Sequence, residues 1–126
     1  MAVTYANSLK DTRMTAVITA LDTASGFATI DIASSAGFTS GILVTITLAK
    51  PSFTEASEAI TMAGAPKSGT AGATGTATQA RIKDGAGTVV VSGLTVGTSA
   101  ADIILNSTSI TNGQTVTLSS AVITHG

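Results

Sequence analysis

The side chains of this chain that could do chemistry are few and far apart. A single histidine, His125, stands next to the last residue, cysteine is absent, and Asp31, Asp84 and Asp102 are scattered along the chain. A histidine base or metal ligand needs a carboxylate, thiol or second ligand within reach. None lies near His125 in sequence, so it reads as a surface residue at a fraying end. The three aspartates would form the carboxylate pair of a glycosidase only if the fold gathered them. A turn is the ordinary explanation of Asp84, and a loop or strand edge that of Asp102. Over residues 64–75, Gly69, Gly72 and Gly75 recur at every third position near Lys67. A phosphate-binding loop places Gly-Lys-Ser/Thr directly after its glycines and opens a helix. Here Lys67 precedes them and Thr76-Ala77-Thr78 continues as strand, so the segment reads as a long exposed loop able to order against a partner. Asn106-Ser107-Thr108 fits a glycosylation acceptor, but no basic-then-apolar leader accompanies it and the match reads as chance. No catalytic, cofactor or metal site is assigned.

The elements that must position these residues are mostly strands. Of the 126 residues, 37 are Ser or Thr, and the threonines alternate with Val, Ile and Leu. Ile42-Leu43-Val44-Thr45-Ile46-Thr47-Leu48 and Thr115-Val116-Thr117-Leu118-Ser119 are the clearest examples. Period two is the signature of a half-buried strand, and β-branched residues pack well on a pleated surface. Strands are predicted at 28–33, 42–49, 59–63, 77–83, 88–92, 102–106 and 115–124, with a further short one at 94–96. Asp84-Gly85-Ala86-Gly87 and Asn112-Gly113 read as turns, because their residues accept positive φ at little cost. Residues 3–21 differ: they lack Gly and Pro and place apolar residues at helical spacing. On a helical projection Tyr5, Ala6, Leu9, Ala16, Val17 and Ala20 share one arc, which Met14, Ile18 and Leu21 extend past half a turn. That arc is wider than one small sheet needs. Arg13 falls inside it, either snorkelling, paired locally with a carboxylate, or bridging a subunit contact.

The expected fold is mainly β: a jelly-roll or Greek-key sandwich of about 7–8 short strands preceded by one N-terminal α-helix. Residues 1–22 (helix) and 23–126 (sandwich) form a single domain, as the length suggests. Its large apolar side chains are sparse, which points to support from neighbouring subunits and to a homo-oligomer, a trimer first. Net charge is −1, with six basic and seven acidic residues, three Phe, one Tyr and no Trp. No basic stripe or aromatic ladder suits nucleic acid, and no apolar run suits a membrane span. The candidate partner-contact residues are Tyr5, Leu9, Arg13, Val17 and Lys67, from the helix and the glycine-rich segment.

Three stretches carry a resemblance: Tyr5-Ala6-Asn7-Ser8-Leu9-Lys10 with Arg13; Ala73-Thr74-Gly75-Thr76-Ala77 leading to Ala80-Arg81-Ile82; and the run from Leu105-Asn106-Ser107 through Gln114-Thr115-Val116-Thr117-Leu118. In their order, and in the Thr/Gly/Ala-rich composition around them, the chain resembles small virion structural proteins of tailed double-stranded DNA bacteriophages. The resemblance implies a non-enzymatic capsid decoration (cement) protein that binds the major capsid protein or other virion proteins. The chain would be made in a bacterial cytoplasm and carried in the virion, without cofactors. A neck, collar or tail component, or a carbohydrate-binding host-attachment module, is the alternative.

Overall fold

The computed structural model describes residues 6–23, 26–35, 37–39, 41–48, 52–56, 59–64 and 66–124. Tyr5 and His125 lie outside them. Among the described residues one helix, α1 (Asn7–Asp22), precedes eleven strands: β1 (Thr29–Ala33), β2 (Ile42–Thr47), β3 (Phe53–Ala56), β4 (Ala59–Met62), β5 (Lys67–Thr70), β6 (Gly75–Thr76), β7 (Gln79–Lys83), β8 (Val89–Gly97), β9 (Ile103–Leu105), β10 (Ser109–Ile110) and β11 (Thr115–Thr124). The fold is mainly β, a curled mixed sheet with one helix, consistent with the sandwich-like architecture expected. Strand order in the large sheet is β2-β1-β7-β8-β9-β11-β4-β3, with β5 also paired to β11, while β6 and β10 form a separate two-stranded ladder.

Alternation places one apolar set inside. Ile30 and Ile32 on β1, Val44 and Ile46 on β2, Ala80 and Ile82 on β7, and Val116 and Leu118 on β11 are all buried. They belong to one cluster that also includes Phe53, Ile60, Ile103, Leu105 and Ile110. On β2 the alternation slips, because the ladder with β1 is irregular between Ile32 and Ala33. Such a bulge lets Leu43 and Val44 both be buried.

The segment over 64–75 is not the exposed loop expected. Strand β5 begins at Lys67 and pairs antiparallel with β11, so the chain from β4 into β5 runs beside β11 as one interrupted strand. From Thr61 to Lys67 is six residues against the four from Val122 to Leu118, so two residues are absorbed in the interruption. There Gly64 adopts φ +73°. Gly69 explains the small-residue composition: a Cβ there would meet Thr45 O at 3.1 Å and Val44 Cγ2 at 3.2 Å. The absence of a side chain is what lets β5 press against β2. Beyond β5, the Gly72 N–H donates to Leu43 O at 2.8 Å and the Ala71 N–H to Gln114 O at 2.8 Å. The first bond ties the end of β5 to β2 across the curled sheet, and the second extends the β5–β11 pairing.

Further differences concern short elements. Strands β3, β6 and β10 were not expected, residues 77–78 separate β6 from β7 instead of continuing as strand, and the two strands placed at 88–92 and 94–96 are one, β8. A few residues in isolation carry too little periodicity to register, and Gly93, at φ +73°, breaks the pattern without ending the strand.

Helix α1 packs against β3, β4 and β8. Its buried stripe is Met14 and Leu21, flanked by the partly buried Val17 and Ile18. The centre of the expected arc faces outward instead: Ala6, Leu9, Ala16 and Ala20 are exposed. The polar strip bonds within the helix, Thr12 Oγ1 donating to Ser8 O at 2.9 Å and Thr19 Oγ1 to Thr15 O at 3.1 Å. At the C-terminal end the Asp22 carboxylate accepts the Ser52 N–H at 3.1 Å, tying the helix to the start of β3. No helix among the described residues is long and apolar enough to cross a membrane.

Candidate interaction surfaces

The structure separates the expected contact residues. Leu9 is 41% exposed and Arg13 is exposed on the same helix, whereas Val17 is half-buried against the core. Alanines 6, 16 and 20 complete a row with Leu9 and Arg13 at alternating spacings of three and four, the geometry of a seam along one helix face. Lys67 opens β5 opposite Leu118 and is half-buried. Its Nζ lies over Gly64, 3.4 Å from where a Cβ would be. It is thus built into the sheet and does not stand on a loop.

The three aspartates serve three different elements. Asp84 accepts the Ala86 and Thr88 N–H groups at 3.0 and 2.9 Å, closing the β7–β8 turn. Asp102 accepts the Thr95 N–H and hydroxyl, at 3.1 and 3.2 Å. That bond pins the short connection through which β8 and β9 pair in parallel. Turn and strand-edge roles are those expected of Asp84 and Asp102.

Asp31 is another matter. It sits mid-strand on β1 between Thr45 of β2 and Arg81 of β7 in the register, and its side chain is fully buried. Directly opposite residues share a face, so β1 sends Ile30 and Ile32 inward and Thr29 and Asp31 outward. Three neighbours converge on the carboxylate: Thr45 Oγ1 at 2.8 Å, Arg81 Nε at 3.1 Å and Lys83 Nζ at 3.0 Å. Burial pushes the carboxyl up, but the hydrogen bonds from Lys83, Thr45 and Arg81 and the nearby Lys83 charge outweigh it and hold it below its ordinary value of 3.8. The Arg81 guanidinium also lies over the Phe38 ring, 4.6 Å from its centroid, a favourable cation–π stacking distance. Both cations remain about a quarter exposed.

This outer sheet face was missed in the sequence, though its signal was present. Gln79, Arg81 and Lys83 alternate with Ala80 and Ile82 as Thr29 and Asp31 do with Ile30 and Ile32. What period two could not supply was which strands are neighbours. Among the described residues there is no cavity and no group of three metal-ligating side chains. Two surface features stand out among the described residues: the outward row of α1 and the charged face of β1, β2 and β7. Compared with known proteins, the chain matches no family model, no curated protein and no solved structure.

Proposed function

We propose that this protein is a structural component of a bacteriophage particle, a capsid decoration (cement) protein that docks on the shell of major capsid protein and stabilises it. The observation that carries the reading is that α1 is apolar on two sides. Met14 and Leu21 are committed to the core, and Ala6, Leu9, Ala16 and Ala20 are left outside. A body that spends apolar residues outward suits a protein held against a larger surface. Its many short Ser and Thr side chains support the same reading, because they lose little rotamer freedom when immobilised. Self-association through α1, as a trimer, would let one particle of cement engage several shell subunits, so that modest contacts multiply through effective concentration.

The test adds purified protein to undecorated shells and measures bound copies and the temperature of DNA release. Bound protein on the order of hundreds per particle, following the shell's symmetry, and a raised release temperature through mass action are expected. About a dozen copies or fewer, at a single vertex, would move the protein to the neck or tail. Removing residues 1–22 is the wrong perturbation, since it strips Met14 and Leu21 from the core. Leu9→Asp, on the outward row, isolates docking from folding.

A further inference from the structure

On the outer sheet face two cations share one carboxylate oxygen. Asp31 supplies one carboxylate, and Arg81 and Lys83 both bond to its Oδ2 atom. Asp84 is bonded within its own turn, Asp102 at Thr95 and Asp22 at Ser52. Arg81 is held in one pose from two directions, by Asp31 through Nε and by the Phe38 ring against its plane. Its Nη1 and Nη2 atoms make no further hydrogen bond among the described residues. A guanidinium fixed at Nε with its Nη edge open is a fork already shaped for a second carboxylate, since the geometry of two parallel N–H donors matches two carboxylate oxygens.

Apolar side chains flank the pair. Val89 stands opposite Lys83 on β8, on the same face, and is 42% exposed. Phe27 is 55% exposed one pleat before Thr29, which itself faces Lys83 across the β1–β7 ladder. The Ala28 carbonyl accepts the Leu48 N–H at 2.8 Å, so the strand geometry extends that far and keeps Phe27 on the outer side while Ala28 is buried. The chain has three Phe and one Tyr, and two of those four aromatic residues, Phe27 and Phe38, belong to this face. Arginine and aromatic residues together are the composition of binding hot spots.

We infer that Arg81 and Lys83, flanked by Phe27 and Val89, form a docking site for a protein segment that presents a carboxylate beside an apolar side chain. The site is separate from the α1 row, and its existence does not depend on which particle or partner the protein serves. Arg81 supplies the directed donors, Lys83 the second charge, and Asp31 holds both cations in place, acting as a positioning residue.

The experiment follows the Arg81 Nε–H and backbone amide resonances of the full chain while adding an acetylated, amidated Gly-Leu-Glu-Leu-Gly peptide. Its Gln analogue and inorganic phosphate are the other arms. Saturable shifts at Arg81, Lys83 and Val89 with the Glu peptide, weakened about tenfold or more with the Gln analogue, are expected from loss of a charge-assisted bidentate pair. Arg81→Lys should weaken the Glu peptide by a similar factor while keeping the charge. Val89→Ser, which keeps both cations, should weaken it about threefold with the melting temperature unchanged. Equal binding of Glu and Gln peptides, no shift with either at about 10 mM, or tighter binding of phosphate than of the Glu peptide would overturn the inference. Because the probes are free peptides, a failure here leaves the shell-docking test untouched, and the reverse also holds.

Discussion

Helix α1 and strand β1 each carry residues on the side where a simple amphipathic element would not place them, and they resolve the misfit in opposite ways. The strand has two faces only. A charge in its middle must therefore point away from the core, straight at the cross-strand residues, and Asp31 finds Thr45, Arg81 and Lys83 there. A helix can be apolar in several directions at once. Met14 and Leu21 go to the core, and Leu9, Ala16 and Ala20 are exposed. The difference is that the buried charge of the strand meets its partners across the ladder, while the outer apolar row of the helix stays exposed.

The sharpest way to break this comparison is on the inner stripe of α1. Leu21→Ala should lower stability by about 3 kcal/mol, the usual result of emptying a fully buried leucine site, seen in the denaturant midpoint. A loss below about 1 kcal/mol would mean the helix is a loosely attached arm. Next comes the tight approach at the β7–β8 turn. A Cβ at Gly85 would sit 2.3 Å from the backbone of Gly26, so Gly85→Ala should destabilise by about 2 kcal/mol as the turn is forced away from the chain entering β1. That would also displace Phe27 and test how firmly the outer face is held.

Asp31→Asn probes the strand side of the comparison and should remove about 1–2 kcal/mol, moderated because both cations reach water. Its pH signature is specific. The folded carboxyl titrates below its ordinary value of 3.8, so the unfolded chain takes up the proton first. The stability it confers is fully present above 3.8 and is lost as pH falls through the lowered folded value. Acid unfolding curves of the wild type and Asp31→Asn should therefore converge at the acid end, and curves that stay parallel would show that ionisation of Asp31 contributes nothing to stability. The smallest effect on stability belongs to Leu9→Asp, within about 0.5 kcal/mol as for other surface changes. The same substitution should abolish self-association in sedimentation. A large loss of stability in the isolated chain would instead place Leu9 in the fold itself.

How much of this was legible in advance differs by element. The long strands with clean alternation, β1, β2, β7 and β11, and the helix were readable, because each repeats its pattern often enough to stand out. So were the turns at Asp84-Gly85 and Asn112-Gly113. Of the residues named for contact, Leu9 and Arg13 are exposed while Val17 and Lys67 are built into the body, and the Asp31–Arg81–Lys83 face went unnoticed. Asp31 looks isolated along the chain, since Arg81 is fifty residues away, and only the β1–β7 pairing makes them neighbours.

What the amino-acid sequence determined by itself is the period of each element, and with it the class of fold, because side-chain alternation and helical spacing are local consequences of backbone geometry. It also determined the scarcity of chemically active groups. Which half of the helix's apolar surface would be covered was decided by where β3, β4 and β8 lie, and whether residues 67–70 were loop or strand was decided by the open edge of β11. Hydrogen-bonding edges and core faces are completed by residues distant in the chain. No local pattern encodes which partner will arrive, and tertiary packing settles it.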